Sequence, residues 1–214
     1  MHQCKICQSD TTVMGDSKKK LSYYRCISCG FIYLDDKFIV DNEREKEKYD
    51  LHNNSFESIG YVEMFEKFIE KAVEPYTQNI KTVLEFGCGS GPVLAELLRD
   101  RSMEVDLYDL YFYPEKVYEG KKYDLITSTE VFEHLKEPLK ILKMLTEHTA
   151  ENGYIILMTK FPPADDKTFL AWWYRRDVTH ISFFTPRSFE VMAEKVGLNV
   201  LETMDNNIVV FQKI

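Results

Sequence analysis

An α/β fold is predicted for this chain, with a mostly parallel sheet closed by a C-terminal antiparallel hairpin and preceded by a small cysteine-bearing module. Three observations predict it. From residue 82 onward short apolar runs alternate with helical segments, the last two runs are joined only by Asp205-Asn206-Asn207, and four of the five cysteines form two Cys-x-x-Cys pairs near the start. Strand-helix alternation needs crossovers, and therefore a parallel sheet covered on both faces. A three-residue link cannot cross over, so it makes a hairpin. With 214 residues, 44% of them hydrophobic, there is material for one main core. An appendage of roughly 40 to 50 residues remains.

The appendage is read as residues 1–36, a zinc ribbon. Cys4-Lys-Ile-Cys7 and Cys26-Ile-Ser-Cys29 are knuckles 18 residues apart, the pattern of a tetrahedral four-thiolate site. A piece this small with few large aliphatic residues cannot fold on burial alone, and Zn2+ supplies the missing free energy. Four thiolates leave no open coordination position, so the metal is expected to be structural. Thr11–Met14 and Leu21–Arg25 are predicted to pair around Gly15-Asp16, with Phe31–Leu34 as a last short strand.

Charge is unevenly placed. Residues 1–34 carry five basic and two acidic side chains, +3 in net, which leaves −11 for the rest of a chain whose total is −8. An acidic main domain repels a phosphate backbone, so nucleic acid is disfavoured as a partner and a small-molecule acceptor is expected. There is neither an apolar run of about 18 residues nor a charged-then-apolar leader, and the reading is a cytoplasmic protein without a membrane segment. Oligomeric state is not legible.

Residues 37–56 are read as a linker or lid segment, whose mixed-charge run 41–48 suits a solvated linker or helix. Residues 57–214 are the main domain. Between Phe56 and Tyr76, Ile59, Val62, Phe65, Ile69 and Val73 recur at helical spacing. Strands are predicted at Thr82–Phe86, Met103–Tyr108, Tyr123–Ser128, Tyr154–Thr159, Val200–Met204 and Ile208–Gln212. Helices are predicted at Pro92–Asp100, Glu137–Thr149 and Pro186–Val196.

The segment Thr82-Val-Leu-Glu-Phe-Gly-Cys-Gly-Ser-Gly91 carries the most chemistry. Three alternating glycines after a strand let backbone approach a ligand at the strand's carboxyl end. A dinucleotide fingerprint needs glycine where Pro92 stands, and the lysine ending of a triphosphate loop is missing.

Glu85-Phe-Gly-Cys-Gly-Ser-Gly91 resembles the first motif of class I S-adenosylmethionine-dependent methyltransferases, which implies a Rossmann-like sheet and S-adenosyl-L-methionine as cofactor. The resemblance implies a cofactor site of Glu85, Gly87, Cys88, Gly89, Gly91, Asp109 and Leu110, with Asp109, preferred to Asp106, binding the ribose hydroxyls. Ser128-Thr129-Glu130-Val-Phe-Glu-His134 resembles a segment of the ubiquinone-methylase-like branch, which implies that Ser128, Thr129 and Glu130 border the methionine end. Only 13 residues separate Asp109 from Tyr123, too few for the usual helix and third strand. An abbreviated third-strand region follows, with Tyr111, Phe112 and Tyr113 as candidates to stack on adenine.

Residues 169–184 are rich in aromatics and are expected to roof the site through Trp172, Trp173, Tyr174, Phe183 and Phe184. They also resemble a segment of one methyltransferase branch. If the acceptor is a hydroxyl or thiol, a base must remove its proton. His180, three residues after Asp177, is the first candidate and His52 the second; His134 reads more simply as scaffold. Arg175 and Arg176 are candidates for an acidic substrate group, or for plain salt bridges. Three functions remain open: a methyltransferase of small molecules, an RNA-modifying methyltransferase docked through the ribbon, and a non-catalytic cofactor-binding module.

Overall fold

The computed structural model describes residues 2–50 and 57–214, so His52 lies outside the described residues. The main sheet has six strands: β4 (Thr82–Phe86), β5 (Glu104–Tyr108), β6 (Tyr123–Thr129), β7 (Thr149–Met158), β9 (Leu198–Met204) and β10 (Ile208–Lys213). Their spatial order is β5-β4-β6-β7-β10-β9. The first four run parallel, and β10 is antiparallel to both β7 and β9. The left-handed residues Asp205 (φ 50°) and Asn206 (φ 57°) make the tight turn between β9 and β10. Among the described residues no strand stands between β5 and β6; a single bridge, Asp109 to Tyr113, replaces it.

Helices cover the sheet on both faces. One core packs α2 (Ile59–Phe68) and α3 (Val93–Arg99) on Val83, Leu125, Ile156 and Val210. The opposite core packs α4 (Pro138–His148) and α6 (Pro186–Val196) on Leu84, Ile126, Leu157 and Phe211; the short α5 (Asp166–Ala171) lies between them in the chain. α6 is bounded as its sequence asks: Thr185 and Ser188 form a capping box, and Gly197 ends it at φ 78°. The predicted helix over 56–76 does not stay α. After Phe68 it widens to a π turn over Ile69–Val73 and tightens to a 3-10 turn over Glu74–Asn79. Pro75 offers no N–H to the preceding turn, which breaks the α ladder there.

The N-terminal sheet holds β1 (Thr11–Asp16), β2 (Leu21–Cys26) and β3 (Ile32–Leu34). Its fourth strand, β8 (Ser182–Phe183), comes from the main domain and pairs with β3. Asp16 and Arg175 form a buried ion pair at 2.5 Å, and the Thr185 hydroxyl donates to the Cys29 carbonyl at 2.7 Å. The cysteine module is thereby fastened to the segment that carries the expected roof. α1 (Asn42–Tyr49), capped by Asp41, fills the charged run, and no described helix is long and apolar enough to cross a membrane.

Candidate functional site

At the carboxyl ends of β4, β5 and β6 lies a cavity of about 810 Å³. Gly87 (φ 82°) and Gly89 (φ 66°) turn the backbone away from β4 in the left-handed region. A Cβ on Gly87 would sit 2.2 Å from Val131 Cγ2, so the β6 loop closes on it and leaves space only for hydrogen. Gly87 N–H donates to the Tyr108 carbonyl at 2.7 Å, which ties the turn to the end of β5. One residue on, Asp109 holds both sides of this corner. Its Oδ2 accepts from Gly89 N–H at 3.0 Å, and its Oδ1 accepts from Tyr111 and Phe112 N–H at 2.9 and 3.1 Å.

Glu85 is the last polar residue of β4 and is 3% exposed. Its Oε2 has no hydrogen-bond partner among the described residues. Burial pushes its carboxyl up to about 8 against the opposing pull of the Ala95 amide. An oxygen acceptor in so dry a place calls for a cationic or donor-bearing occupant.

The facing wall is the loop after β6. Glu130, at φ 53°, and the turn Phe132–His134 bring Glu130 and Glu133 together beneath Tyr174. Tyr174 Oη lies 2.5 Å from Glu133 Oε1 and 3.0 Å from Glu130 Oε2. Burial, and then the charge of Glu133, push Glu130 up to about 8; burial likewise raises Glu133, whose Oε2 is without a partner among the described residues. Beside them His134 and His180 stack edge to face, with ring centroids 4.8 Å apart. His134 Nδ1 meets the Thr179 carbonyl at 3.0 Å and His180 Nδ1 meets the Tyr174 carbonyl at 2.8 Å. A carbonyl only accepts, so each ring carries a proton on Nδ1. Asp177 spends Oδ1 on the Thr179 amide and hydroxyl at 3.0 and 2.7 Å. Burial pushes Asp177 up, but the Thr179 donors, with His180 and Lys48 behind them, outweigh it and hold it below the usual range.

Of the sequence-predicted cofactor residues, Glu85, Gly87, Cys88, Gly89, Asp109, Leu110, Thr129 and Glu130 line this one cavity, as do Asp177 and His180. Gly91 and Ser128 do not line it, and Ser128 points its hydroxyl into the protein interior. The aromatic segment divides. Trp173 and Tyr174 reach the cavity, whereas Trp172 and Phe183 pack with Tyr23 and Phe169 against the cysteine module, and Phe184 stacks on Phe189 in the core. The roof is therefore two residues wide. Arg175 is 5% exposed and committed to Asp16, so it is a salt bridge of the scaffold and no substrate ligand.

Sequence reasoning missed Glu133, the bonds of Tyr174 to the two carboxylates, and the place of α1 at the cavity. Glu45 accepts from Tyr111 Oη at 2.7 Å, Tyr49 lies edge-on to His134 with centroids 5.2 Å apart, and both line the cavity. Tyr49, the one aromatic ending a charged run, was the available signal. Of the candidate adenine platform, Tyr111 and Phe112 line the cavity, while Tyr113 bridges back to Asp109.

In the cysteine module Sγ atoms of Cys4 and Cys29 are 3.7 Å apart and those of Cys7 and Cys26 3.3 Å. All four are free thiols whose sulfurs lie within 4.8 Å of one another. Bonds of about 2.3 Å in a tetrahedron set sulfurs roughly 3.7 Å apart, so the cluster fits such an ion. The Ile6, Ser28 and Cys29 amides donate to Cys4 or Cys26 sulfur at 3.3 to 3.4 Å, as thiolates invite.

A family model described as a methyltransferase domain matches residues 57–203. No curated protein matches the sequence. Among solved structures, a magnesium protoporphyrin IX methyltransferase from Synechocystis PCC 6803 with bound SAM superposes with a TM-score of 0.54 at 14% identity, covering 73% of this chain and 81% of that one. A mitomycin 7-O-methyltransferase gives 0.56 at 14%, over 83% of this chain and 60% of the other. An O-methyltransferase family protein from Burkholderia thailandensis gives 0.55 at 12%, over 83% and 61%. The chain thus spans less than two thirds of the length of the last two, and at these identities the likeness is one of fold.

Proposed function

The chain belongs to the methyltransferase domain family of S-adenosylmethionine-dependent enzymes, and on that premise we propose that it methylates a small-molecule acceptor held in the cavity at the carboxyl edge of the sheet. The observation that carries the proposal is the single space joining the glycine turn and Asp109 on one side to the Glu130, Tyr174 and His180 wall on the other. Its volume of about 810 Å³ lies in the range of small-molecule sites.

The residues present fit the cofactor. Glu85 Oε2, buried and without a partner among the described residues, suits the α-ammonium of its amino-acid end. The turn at Gly87 and Gly89 presents bare backbone to that end, because Val131 excludes any side chain. Asp109 gives three acceptor bonds to backbone amides, and a carboxylate has capacity for about four, so a ribose hydroxyl completes it. When bound, the cofactor supplies a methyl group on sulfonium for direct displacement.

Beyond binding, the chain has three tasks. Trp173, Tyr174 and α1 enclose the acceptor and exclude water, which aligns it and removes competing solvation. His180, its ring oriented by the Tyr174 carbonyl, assists loss of the proton from a hydroxyl or thiol acceptor. Asp177 fixes the Thr179 turn that precedes His180 and adds negative charge beside it, a positioning role. The four cysteines hold a structural zinc ion that stabilises the module on which β8 and Arg175 rest.

Calorimetry with S-adenosylmethionine and S-adenosylhomocysteine tests the cofactor, and turnover of labelled cofactor with fractionated metabolites tests the acceptor. Absence of binding to either compound refutes the reading. Labelling of RNA and of no metabolite replaces the acceptor class.

A further inference from the structure

Behind the Tyr174 wall, carboxylate and imidazole converge in a way that binding of the cofactor does not use. One ligand atom each from Glu133, His134 and His180 lie within 4.8 Å of one another. Glu133 is fully buried and its Oε2 lacks a partner among the described residues. A carboxylate oxygen left so in a dry interior costs free energy unless something cationic or proton-bearing meets it. Each imidazole has its Nδ1 held by a backbone carbonyl, the outer hydrogen bond that metal-ligating histidines usually make.

We propose that Glu133, His134 and His180 bind one divalent first-row transition cation beside the cofactor cavity, and that the acceptor is a hydroxyl compound whose oxygen reaches this cation. The site deepens the methyltransferase reading and rests on it for the reaction. Two imidazoles and a carboxylate select Mn2+, Co2+, Fe2+ or Zn2+ over Mg2+ and Ca2+, which prefer all-oxygen shells. Metal bonds of about 2.1 Å draw ligand atoms to roughly 3 Å, so ligation moves these side chains inward by an ångström or so. Glu130, which shares Tyr174 Oη with Glu133, stands next in line as a second carboxylate. His134, His180, Glu130 and Tyr174 line the cavity, so a cation here is open to an acceptor on one side and shut in on the other.

The chemistry follows from charge. A divalent cation lowers the pKa of a hydroxyl bound to it, so the proton leaves to solvent and His180 is a ligand in place of a base. The oxygen lone pair then forms the new bond to the methyl carbon, and the pair of the breaking carbon–sulfur bond stays on sulfur as a neutral thioether. No redox step enters.

The test uses the full chain with zinc already in its cysteine module. Mn2+ is the probe, because it does not displace zinc from thiolates. Loss of the free Mn2+ signal in electron paramagnetic resonance is expected to show one ion bound per chain. Glu133→Gln and His180→Ala are each expected to weaken that binding at least tenfold while S-adenosylhomocysteine still binds by calorimetry. His180 is only half-buried, so that variant serves if Glu133→Gln does not fold. No binding of Mn2+ or Co2+ by the parent, or equal binding by the variants, overturns the site and leaves a proton-sharing carboxylate pair in its place. Metal binding without any cofactor binding overturns the methyltransferase reading instead. For the acceptor, brief chelation that spares the zinc is expected to stop turnover and Mn2+ to restore it, with the label on oxygen. A methyl group on nitrogen, sulfur or carbon, or turnover indifferent to chelation, refutes that half.

Discussion

Replacing Glu85 by glutamine separates the cost of a buried carboxylate from its use. In the protein without cofactor, burial holds the Glu85 carboxyl up at about 8, against an ordinary value of 4.5. That difference corresponds to a penalty on the order of 4 to 5 kcal/mol once the group is ionised. The sign is fixed: the folded state binds the proton more tightly than the unfolded state. Stability is therefore full below about 4.5, falls as pH rises toward 8, and stays low above it. Glu130 and Glu133 add slopes of the same sign, so the wild-type curve alone does not isolate Glu85. The difference between wild type and Glu85→Gln does. Without cofactor, the variant is expected to be the more stable of the two above pH 7, by a margin that grows from pH 5 to 8. With S-adenosylhomocysteine the order reverses, because only ionised Glu85 pairs with the ammonium. Loss of one partner of a buried charge pair costs about 2 to 5 kcal/mol, roughly 30-fold or more in affinity at pH 8.5. The assays are thermal melts across pH and titration calorimetry in buffers of different ionisation enthalpy, where wild type at pH 7 releases a proton on binding. Parallel stability curves together with equal affinities refute the reasoning.

Gly87→Ala places a side chain at φ 82° and 2.2 Å from Val131; left-handed strain of about 1 to 2 kcal/mol and overpacking of about 1 to 3 kcal/mol are expected, read as a lowered Tm and at least tenfold weaker cofactor binding. Asp109→Asn keeps the shape but loses a charged acceptor of three amides; a loss of about 1.5 to 3 kcal/mol in cofactor affinity is expected by calorimetry, and unchanged affinity counts against the ribose assignment. Asp16→Asn leaves Arg175 buried and unpaired; unfolding by urea is expected to show a loss of about 3 to 5 kcal/mol. Cys26→Ser is expected to abolish zinc, measured by mass spectrometry at near one ion per chain in the parent, and to loosen β8 in hydrogen exchange because β3 holds it.

The parallel sheet, its closing hairpin, the missing third strand and the four-thiol cluster were legible in the residues, because each is set by local pattern: apolar period, connection length, or the spacing of ligands on one short turn. So was the wall of the cavity built by Gly87, Gly89 and Asp109, since these act through backbone turns that sequence spells out. The facing wall was decided by tertiary packing. Nothing near Glu133 in sequence announces that Tyr174, 41 residues on, comes to lie on its carboxylate. Nor does anything say that Arg175 turns inward to Asp16 while its neighbour Tyr174 faces the cavity. β8 is two residues long and carries no period to read, yet it joins the two sheets. Pattern reports which face of an element is apolar; which distant element meets that face is settled only when burial of the whole chain fixes one arrangement.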